Sequence, residues 1–257
     1  LYQFNMRGRN ETLRLTAQFG FQRSFNLTYQ FPYIDQRQKH GLVINADYQE
    51  TKNLAYRTFD HKLEFVKSDE LLRVTGGAGL AYTYRNSFYD IHSFKIEHRR
   101  NQINDTIAFL NPNYFGGDKL SQEYTVISYQ YSHDHRDLVA YPLTGHYFTA
   151  SVHKTGLGIK NEIDKTEGTM SYARFIDLKK GVYFSTFFSG YWSFPDNIPY
   201  AFYGAIGYKR LFIRGYEIYL IEGTNFLVNK TTLKKRIFSN IYRFNSFPLE
   251  QFRRVPV

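Results

Sequence analysis

The 257-residue sequence contains no cysteine, so it can form neither disulfide bonds nor cysteine-based zinc sites. It also lacks any run of the about 18 to 20 apolar residues that a membrane-spanning helix requires. The patterns Gly-x-Ser-x-Gly, HExxH and the P-loop, which mark common catalytic sites, do not occur either. We therefore expect a protein that is not an enzyme and that works without a cofactor or a metal ion.

Acidic residues are few relative to basic ones. The chain has 23 Asp and Glu against 33 Lys and Arg, a net charge of +10. A basic chain can bind nucleic acid, but the basic residues form no compact stripe, and no zinc-finger spacing or RNA-binding motif is present. We therefore expect no nucleic-acid partner. Anionic lipid headgroups, or the inner wall of a pore, explain the charge better.

Aromatic residues are abundant. The chain has 23 Tyr, 24 Phe and 1 Trp, together 19% of its residues. A soluble core does not need so many tyrosines, whereas a membrane barrel uses Tyr and Trp at both membrane interfaces.

Polar and apolar residues alternate along most of the chain, and a period of two residues is the period of a β-strand. No segment shows a sustained helical stripe, and no linker or domain boundary is visible. The pattern predicts roughly a dozen strands in one domain. The predicted strands are Leu1–Arg7, Thr12–Phe19, Phe25–Phe31, Leu42–Gln49, Tyr56–Phe65, Leu72–Arg85, Ser93–Arg99, Tyr124–Asp134, His146–Lys154, Thr169–Ile176, Val182–Trp192, Ala201–Tyr208 and Phe226–Phe238.

Two all-β architectures share this pattern. A soluble sandwich would bury the apolar face, whereas a transmembrane barrel would turn that face to lipid and line its interior with the polar one. The strands are longer than the usual about 5 to 6 residues. Short turns such as residues 178–181 alternate with long loops such as residues 100–123. These features favour an antiparallel transmembrane β-barrel.

A charged motif ends one predicted strand. It contains Asp134, Arg136 and Asp137, and is followed by Pro142 and Gly145. His133 and His135 share a strand face and allow a metal site, but no third ligand follows at a supporting spacing. The alternative is a strand that ends in a charged turn, with the proline and glycine shaping entry into the next strand.

A second motif lies about 70 residues later and consists of Ile213, Arg214, Gly215 and Tyr216. It follows a glycine-containing segment with Gly204 and Gly207 and precedes Gly223-Thr224-Asn225. By itself it predicts only a basic hairpin loop.

In this order, the D-x-R-D, P-x-x-G, glycine-rich, R-G-Y and G-x-N elements resemble the BamA/TamA superfamily of outer-membrane insertases and translocases. The resemblance extends from about residue 12 to residue 240. It implies a barrel of sixteen strands, of which roughly a dozen would be present here. It also implies that the long loop folds back into the lumen, where Arg214 would meet an acidic residue of a late strand.

Some expected features of that family are missing from the sequence. No POTRA-like pattern precedes the strands, and no terminal strand with a final aromatic residue follows. The sequence therefore predicts that residues 1–257 form part of an outer-membrane barrel, without its POTRA domains and its last strands.

The resemblance implies a protein of the bacterial outer membrane that inserts or translocates other proteins. Its implied partners are membrane lipid, client outer-membrane proteins, and periplasmic or lipoprotein accessory subunits. Two alternatives remain open at this stage: a passive porin or substrate channel, and a soluble β-sandwich binding module.

Overall fold

A computed structural model describes residues 1–20, 22–117, 119–157, 163–207, 211–238, 241–243 and 254–256, with only the backbone described at residues 205, 241–243 and 254–256. The protein is almost entirely β-structure. Its strands are β1 (Tyr2–Met6), β2 (Glu11–Gln18), β3 (Gln22–Phe31), β4 (His40–Thr51), β5 (Asn53–Phe59), β6 (Lys62–Lys67), β7 (Arg73–Arg85), β8 (Asp90–Ile103), β9 (Ser121–Arg136), β10 (Gly145–Thr155), β11 (Lys165–Asp177), β12 (Val182–Phe194), β13 (Ala205–Ile206), β14 (Ile221–Glu222), β15 (Asn225–Lys235), β16 (Ile241–Arg243) and β17 (Arg254–Pro256).

Eleven strands form one antiparallel sheet, in the order β1-β2-β3-β4-β7-β8-β9-β10-β11-β12-β15. Each strand pairs with the next one along the chain, apart from the small inserted pairs β5–β6 and β13–β14. A separate pair is formed by β16 and β17. This up-and-down order with long strands confirms the predicted all-β, barrel-type architecture.

Two strand predictions were wrong. Tyr56–Phe65 is not one strand but part of the hairpin β5–β6, whose turn lies at Asp60 and His61 with φ of 46° and 58°. Ala201–Tyr208 is not a glycine-rich strand either. A 3₁₀ turn at Tyr200–Phe202 precedes the two-residue β13, and Tyr208 lies outside the described residues.

The long connection after β8 contains a short helix, α1 (Asp105–Leu110), that the sequence did not predict. The Asn104 side chain accepts a hydrogen bond from the N–H of Ile107 and so begins the helix. Six residues are too few to show a helical stripe, which explains why the pattern missed it. No helix among the described residues is long and apolar enough to span a membrane.

The two faces of the large sheet differ sharply. Directly opposed residues share a face, so the register separates an apolar face from a polar face. The apolar face is exposed. Its exposed side chains include Leu15, Phe25, Leu27, Ile44, Leu80, Phe94, Ile96, Ile127, Val152, Met170, Phe188 and Leu227. Several polar-face side chains are buried, among them Ser24, Thr75, Glu97, Gln122, Ser151, Ser189 and Ser193.

This distribution is the reverse of a soluble sandwich, which buries its apolar face. It is the distribution of a sheet whose apolar face meets lipid and whose polar face lines an interior. The soluble sandwich is therefore the weaker of the architectures that the sequence left open.

A charged network crosses the polar face from β4 to β8. Arg99 donates two hydrogen bonds to the Asp47 carboxylate, at 3.1 and 2.8 Å, and also pairs with Glu97. Between them, on β7, stands Gly77, which is in register with both Asp47 and Arg99. A Cβ on Gly77 would lie 3.2 Å from two atoms of the Arg99 side chain. The glycine therefore leaves the space through which the arginine reaches across a strand.

The hydrophobic core lies at one end of the sheet, which we call the loop end because the long connections between strands meet there; the opposite end is the turn end. Leu54, Leu72, Ile103, Ile107, Tyr114 and Phe115 form this buried cluster. Tyr200 and Phe202 pack against it from the connection after β12. Three separate connections, those before β7, after β8 and after β12, thus share one core.

The sidedness of the sheet can be tested at two neighbouring residues of β3. Leu27→Arg places a charge on the exposed apolar face and should lower the free energy of unfolding in lipid vesicles by about 2–4 kcal/mol. Asn26→Arg, on the polar face and in register with Asp47, should lower the free energy of unfolding much less. Urea titration of both variants in vesicles measures the difference. Equal losses would contradict the assignment of the faces.

Candidate functional site

The charged motif at the end of β9 leads into a compact turn at the turn end of the sheet. Arg136 donates to both carboxylate oxygens of Asp134, at 2.8 and 2.6 Å. Its guanidinium also lies 4.6 Å from the ring centre of Tyr147, on the neighbouring strand β10. This bidentate ion pair with a cation–π contact fixes the end of β9 against β10.

Asp137 closes the turn itself. Its carboxylate accepts hydrogen bonds from the N–H groups of Leu138, at 2.9 Å, and Leu143, at 3.1 Å, while its own N–H donates to the carbonyl of Thr144 at 3.2 Å. Slight desolvation acts to raise the pKa of Asp137, but the backbone donors outweigh it and lower the pKa below its usual value. The carboxylate therefore stays charged and holds residues 137–144 together.

Gly145 is required where the chain enters β10. Its φ is +101°, and a Cβ there would lie 2.0 Å from the carbonyl oxygen of His135. Pro142, half-buried, precedes it within the turn. The motif residues from Asp134 to Gly145 thus form one hydrogen-bonded turn between β9 and β10.

Three histidines stack beside this turn on the apolar face. The ring centres of His133 and His146 are 5.1 Å apart, and those of His135 and His146 are 5.5 Å apart. The sequence pointed to His133 and His135 but not to His146, which arrives from β10. The spacing along the chain could not reveal it, because the contact depends on the register between two strands.

A chain of hydrogen bonds runs through two of these histidines. Arg174 donates to His146 Nδ1 at 3.3 Å, so His146 Nε2 carries the proton and donates to His133 Nε2 at 3.2 Å. His133 Nδ1 then donates to Asp90 at 2.7 Å. In the part of the chain that the structure describes, no group of His, Cys, Asp or Glu has the geometry of a metal site. The hydrogen bonds make this cluster a polar network.

Part of the connection between β12 and β15, at Phe202 and Gly204, lies against the polar face at the loop end. The Lys165 ammonium donates to the carbonyl of Phe202 at 2.7 Å and pairs with Glu167 at 2.5 Å. Tyr191 donates to the same carboxylate at 2.7 Å. A Cβ on Gly204 would lie 2.6 Å from the Tyr191 ring, so the glycine allows the backbone to rest on that ring. We call Lys165, Glu167 and Tyr191 the latch.

The same connection is joined to the tip of the β5–β6 hairpin. The N–H of Leu220 donates to the carbonyl of His61 at 2.7 Å, and Thr58 Oγ1 donates to Glu222 at 2.6 Å. Gly207, with φ +97°, turns the chain, and a Cβ there would lie 2.3 Å from the carbonyl oxygen of Tyr219. The connection is therefore held at both sides of the R-G-Y motif.

The R-G-Y motif itself is a tight turn. The N–H of Tyr216 donates to the carbonyl of Ile213 at 3.0 Å, and Gly215 has φ +82° with no atom near its missing Cβ. The Arg214 side chain is exposed. Among the described residues it has no carboxylate partner, so its pairing with an acid inside a barrel stays a prediction.

The latch residues were not identified from the sequence. Lys165 and Glu167 alternate with uncharged residues and share the polar face, but so do other charged residues of the sheet. The distinguishing property is burial, since the Lys165 side chain is only 6% exposed. That burial arises from a connection roughly 40 residues later in the chain, whose path the local pattern does not contain.

Comparison with known proteins identifies the family. The Omp85 superfamily domain matches residues 5–225, which is most of the chain. The protein belongs to the Omp85 superfamily. Both the turn of residues 134–145 and the R-G-Y turn lie within the matched part of this Omp85 domain.

A solved structure supports the fold assignment. The crystal structure of BamA from Haemophilus ducreyi lacking POTRA domains 1-3 is similar with a TM-score of 0.66 at 13% sequence identity. The match covers 97% of this chain and 51% of the BamA chain, so the Omp85 chain spans about half the length of that structure. No match was found among curated proteins.

The role of Gly145 in the turn between β9 and β10 can be tested by substitution. Gly145→Ala should lower the free energy of unfolding by at least about 2 kcal/mol, because the methyl group meets the His135 carbonyl and the φ is unfavourable. Gly117→Ala is the matched control: its φ is +67°, but no atom lies within 4 Å of the added methyl. Urea unfolding in vesicles compares the two. A larger loss at Gly117 would refute the proposed role of Gly145.

The latch can be tested at Lys165. Lys165→Met removes the bond to Phe202 and leaves Glu167 partly buried without its cation, so residues 200–204 should open more often. Their amide hydrogen exchange should accelerate roughly tenfold or more. Lys154→Met is the control, since Lys154 pairs with Asp164 at an exposed site. Unchanged exchange at residues 200–204 in Lys165→Met would show that the connection is held by other contacts.

Proposed function

We propose that this Omp85 protein is a barrel of the bacterial outer membrane that inserts or translocates other proteins, as members of BamA/TamA type do. The observation that supports this most is the connection between β12 and β15, whose described residues are held by the latch on the polar face and by the β5–β6 hairpin. A connection fixed in this position obstructs the interior of a barrel, and an obstructed barrel is unsuited to passive diffusion.

The physical basis of insertion is strand pairing at low dielectric. In lipid, an unpaired backbone N–H or C=O group costs several kcal/mol, so a barrel seam that opens becomes a strong template for the edge of another strand. The proposed clients are therefore outer-membrane β-proteins whose strands have not yet closed. Periplasmic or lipoprotein subunits would deliver them, and no cofactor is needed.

The proposed role of the R-G-Y turn concerns the interior of the barrel. Arg214 offers five donors in a fixed fork, a geometry suited to a carboxylate on the barrel wall. Such a pair would hold the tip of the connection, while the latch holds its base. Exposure of Arg214 among the described residues leaves its guanidinium available for that partner.

Reconstitution tests the proposed activity. The full-length protein in vesicles should accelerate the folding of an added unfolded outer-membrane protein relative to empty vesicles. Planar-bilayer recording tests the porin alternative: a small, fluctuating conductance supports the obstructed barrel. A large, stable, ion-selective conductance together with no acceleration of folding would overturn the proposal.

The Arg214→Ala variant of the full-length protein tests the R-G-Y turn. We expect impaired assembly, seen as less heat-modifiable folded protein, and slower client folding, because the tip of the connection loses its anchor. Arg9→Ala, at an exposed turn between β1 and β2, removes the same charge elsewhere and should have little effect. Wild-type assembly and client folding of Arg214→Ala would rule out the anchoring role.

A further inference from the structure

A belt of aromatic and histidine rings runs along the apolar face near the turn end. The ring centres of His40 on β4 and Tyr84 on β7 are 5.2 Å apart, and those of Tyr84 and His92 on β8 are 6.0 Å apart. The ring centre of His92 lies 5.0 Å from that of Tyr131 on β9. All these rings are on the face assigned to lipid. Rings with an apolar body and a polar edge concentrate at the level of lipid headgroups. The belt therefore marks the headgroup level at this end of the sheet.

The belt contains a shallow depression of about 450 Å³. Tyr82, Tyr84 and Phe94 provide its aromatic surface, while Arg37, Lys39 and His40 provide its polar side. His40 Nδ1 lies 2.5 Å from the hydroxyl of Tyr82, which fixes the imidazole against the aromatic surface. Cations and aromatic rings thus line the same depression.

The two cations come from the turn between β3 and β4. The carboxylate of Asp35, the nearest acid in this turn, accepts hydrogen bonds from the N–H groups of Lys39, at 3.0 Å, and His40, at 2.8 Å. The acid is therefore engaged by the backbone and shapes the turn. Neither Arg37 nor Lys39 has a carboxylate ion-pair partner among the described residues, so both charges are available to a ligand.

We propose that this depression binds the headgroup of an anionic phospholipid, with the phosphodiester at Arg37 and Lys39 and the glycerol and upper acyl chain along Tyr82, Tyr84 and Phe94. Arginine and lysine are the preferred phosphate donors. A lipid fits better than a soluble phosphate because the aromatic side of the depression continues into the exposed apolar face beside Leu80 and Ile96. The inference rests on the membrane position proposed above, but not on insertion activity.

Native mass spectrometry of the full chain, released from detergent micelles with added phosphatidylglycerol or phosphatidylcholine, tests the site. The wild-type protein should retain phosphatidylglycerol in preference to phosphatidylcholine. Arg37→Gln with Lys39→Gln should weaken that retention roughly tenfold or more, given the usual contribution of a basic residue near an anionic lipid surface. Circular dichroism confirms that each variant is folded.

The matched control is Lys179→Gln with Lys180→Gln, in the turn between β11 and β12 at the same end of the sheet. It removes the same charge at the same level but away from the depression, and its lipid retention should equal that of the wild type. Equal weakening in both double variants would show a diffuse charge effect and overturn the proposal. So would a wild-type protein that does not distinguish the two lipids, whatever the variants do. A protein that selects phosphatidylglycerol yet forms a large, stable conductance and fails to accelerate client folding would refute the proposed function and leave this site in place.

Discussion

Continuous backbone pairing across the large sheet is the constraint on which the other features depend. Among the described residues, nine of its eleven strands, all but β1 and β15, have hydrogen-bonded neighbours on both sides. In lipid no water could replace those bonds. Because the register is fixed, successive residues of each strand alternate between the face assigned to lipid and the face assigned to the interior. Side chains then serve each environment separately: leucine and isoleucine on one face, serine, threonine and charged networks such as Arg99 with Asp47 on the other.

In the part of the chain that the structure describes, the sheet does not pack a hydrophobic core between layers, so the connections between strands hold the hydrophobic contacts. A soluble domain places its hydrophobic contacts between layers, whereas here the buried cluster lies among connections at one end of the sheet. The latch and the hairpin contacts at His61 extend that cluster onto the polar face. At the opposite end, short turns are held by local devices instead, such as the Asp137 carboxylate and Gly145. The two ends are therefore stabilised by different means: shared packing at one, and self-contained turns at the other.

The alternation of polar and apolar residues was sufficient to predict most strands of the sheet, but not the structure of the connections between them. Strands such as β9 and β10 followed from alternation because each residue's face depends only on its parity. The turn at Asp60 and His61 carries no glycine or proline, so the β5–β6 hairpin looked like one strand. Gly204 suggested a strand, yet it serves to rest the backbone on Tyr191. The approach of His146 to His133, and of Phe202 to Lys165, depends on register and on the path of distant loops, which periodicity does not encode.

The hydrogen bond between Leu220 and the tip of the β5–β6 hairpin carries an evolutionary implication. Surface loops usually diverge independently, because each contacts little beyond itself. Here the hairpin and the later connection share a backbone bond and the Thr58–Glu222 contact, although about 160 residues separate them. An insertion that lengthened the hairpin would displace its partner as well. Chimaeras between relatives should therefore exchange the β5–β6 hairpin and the connection between β12 and β15 together. If only one were exchanged, the contacts between the two segments would be lost.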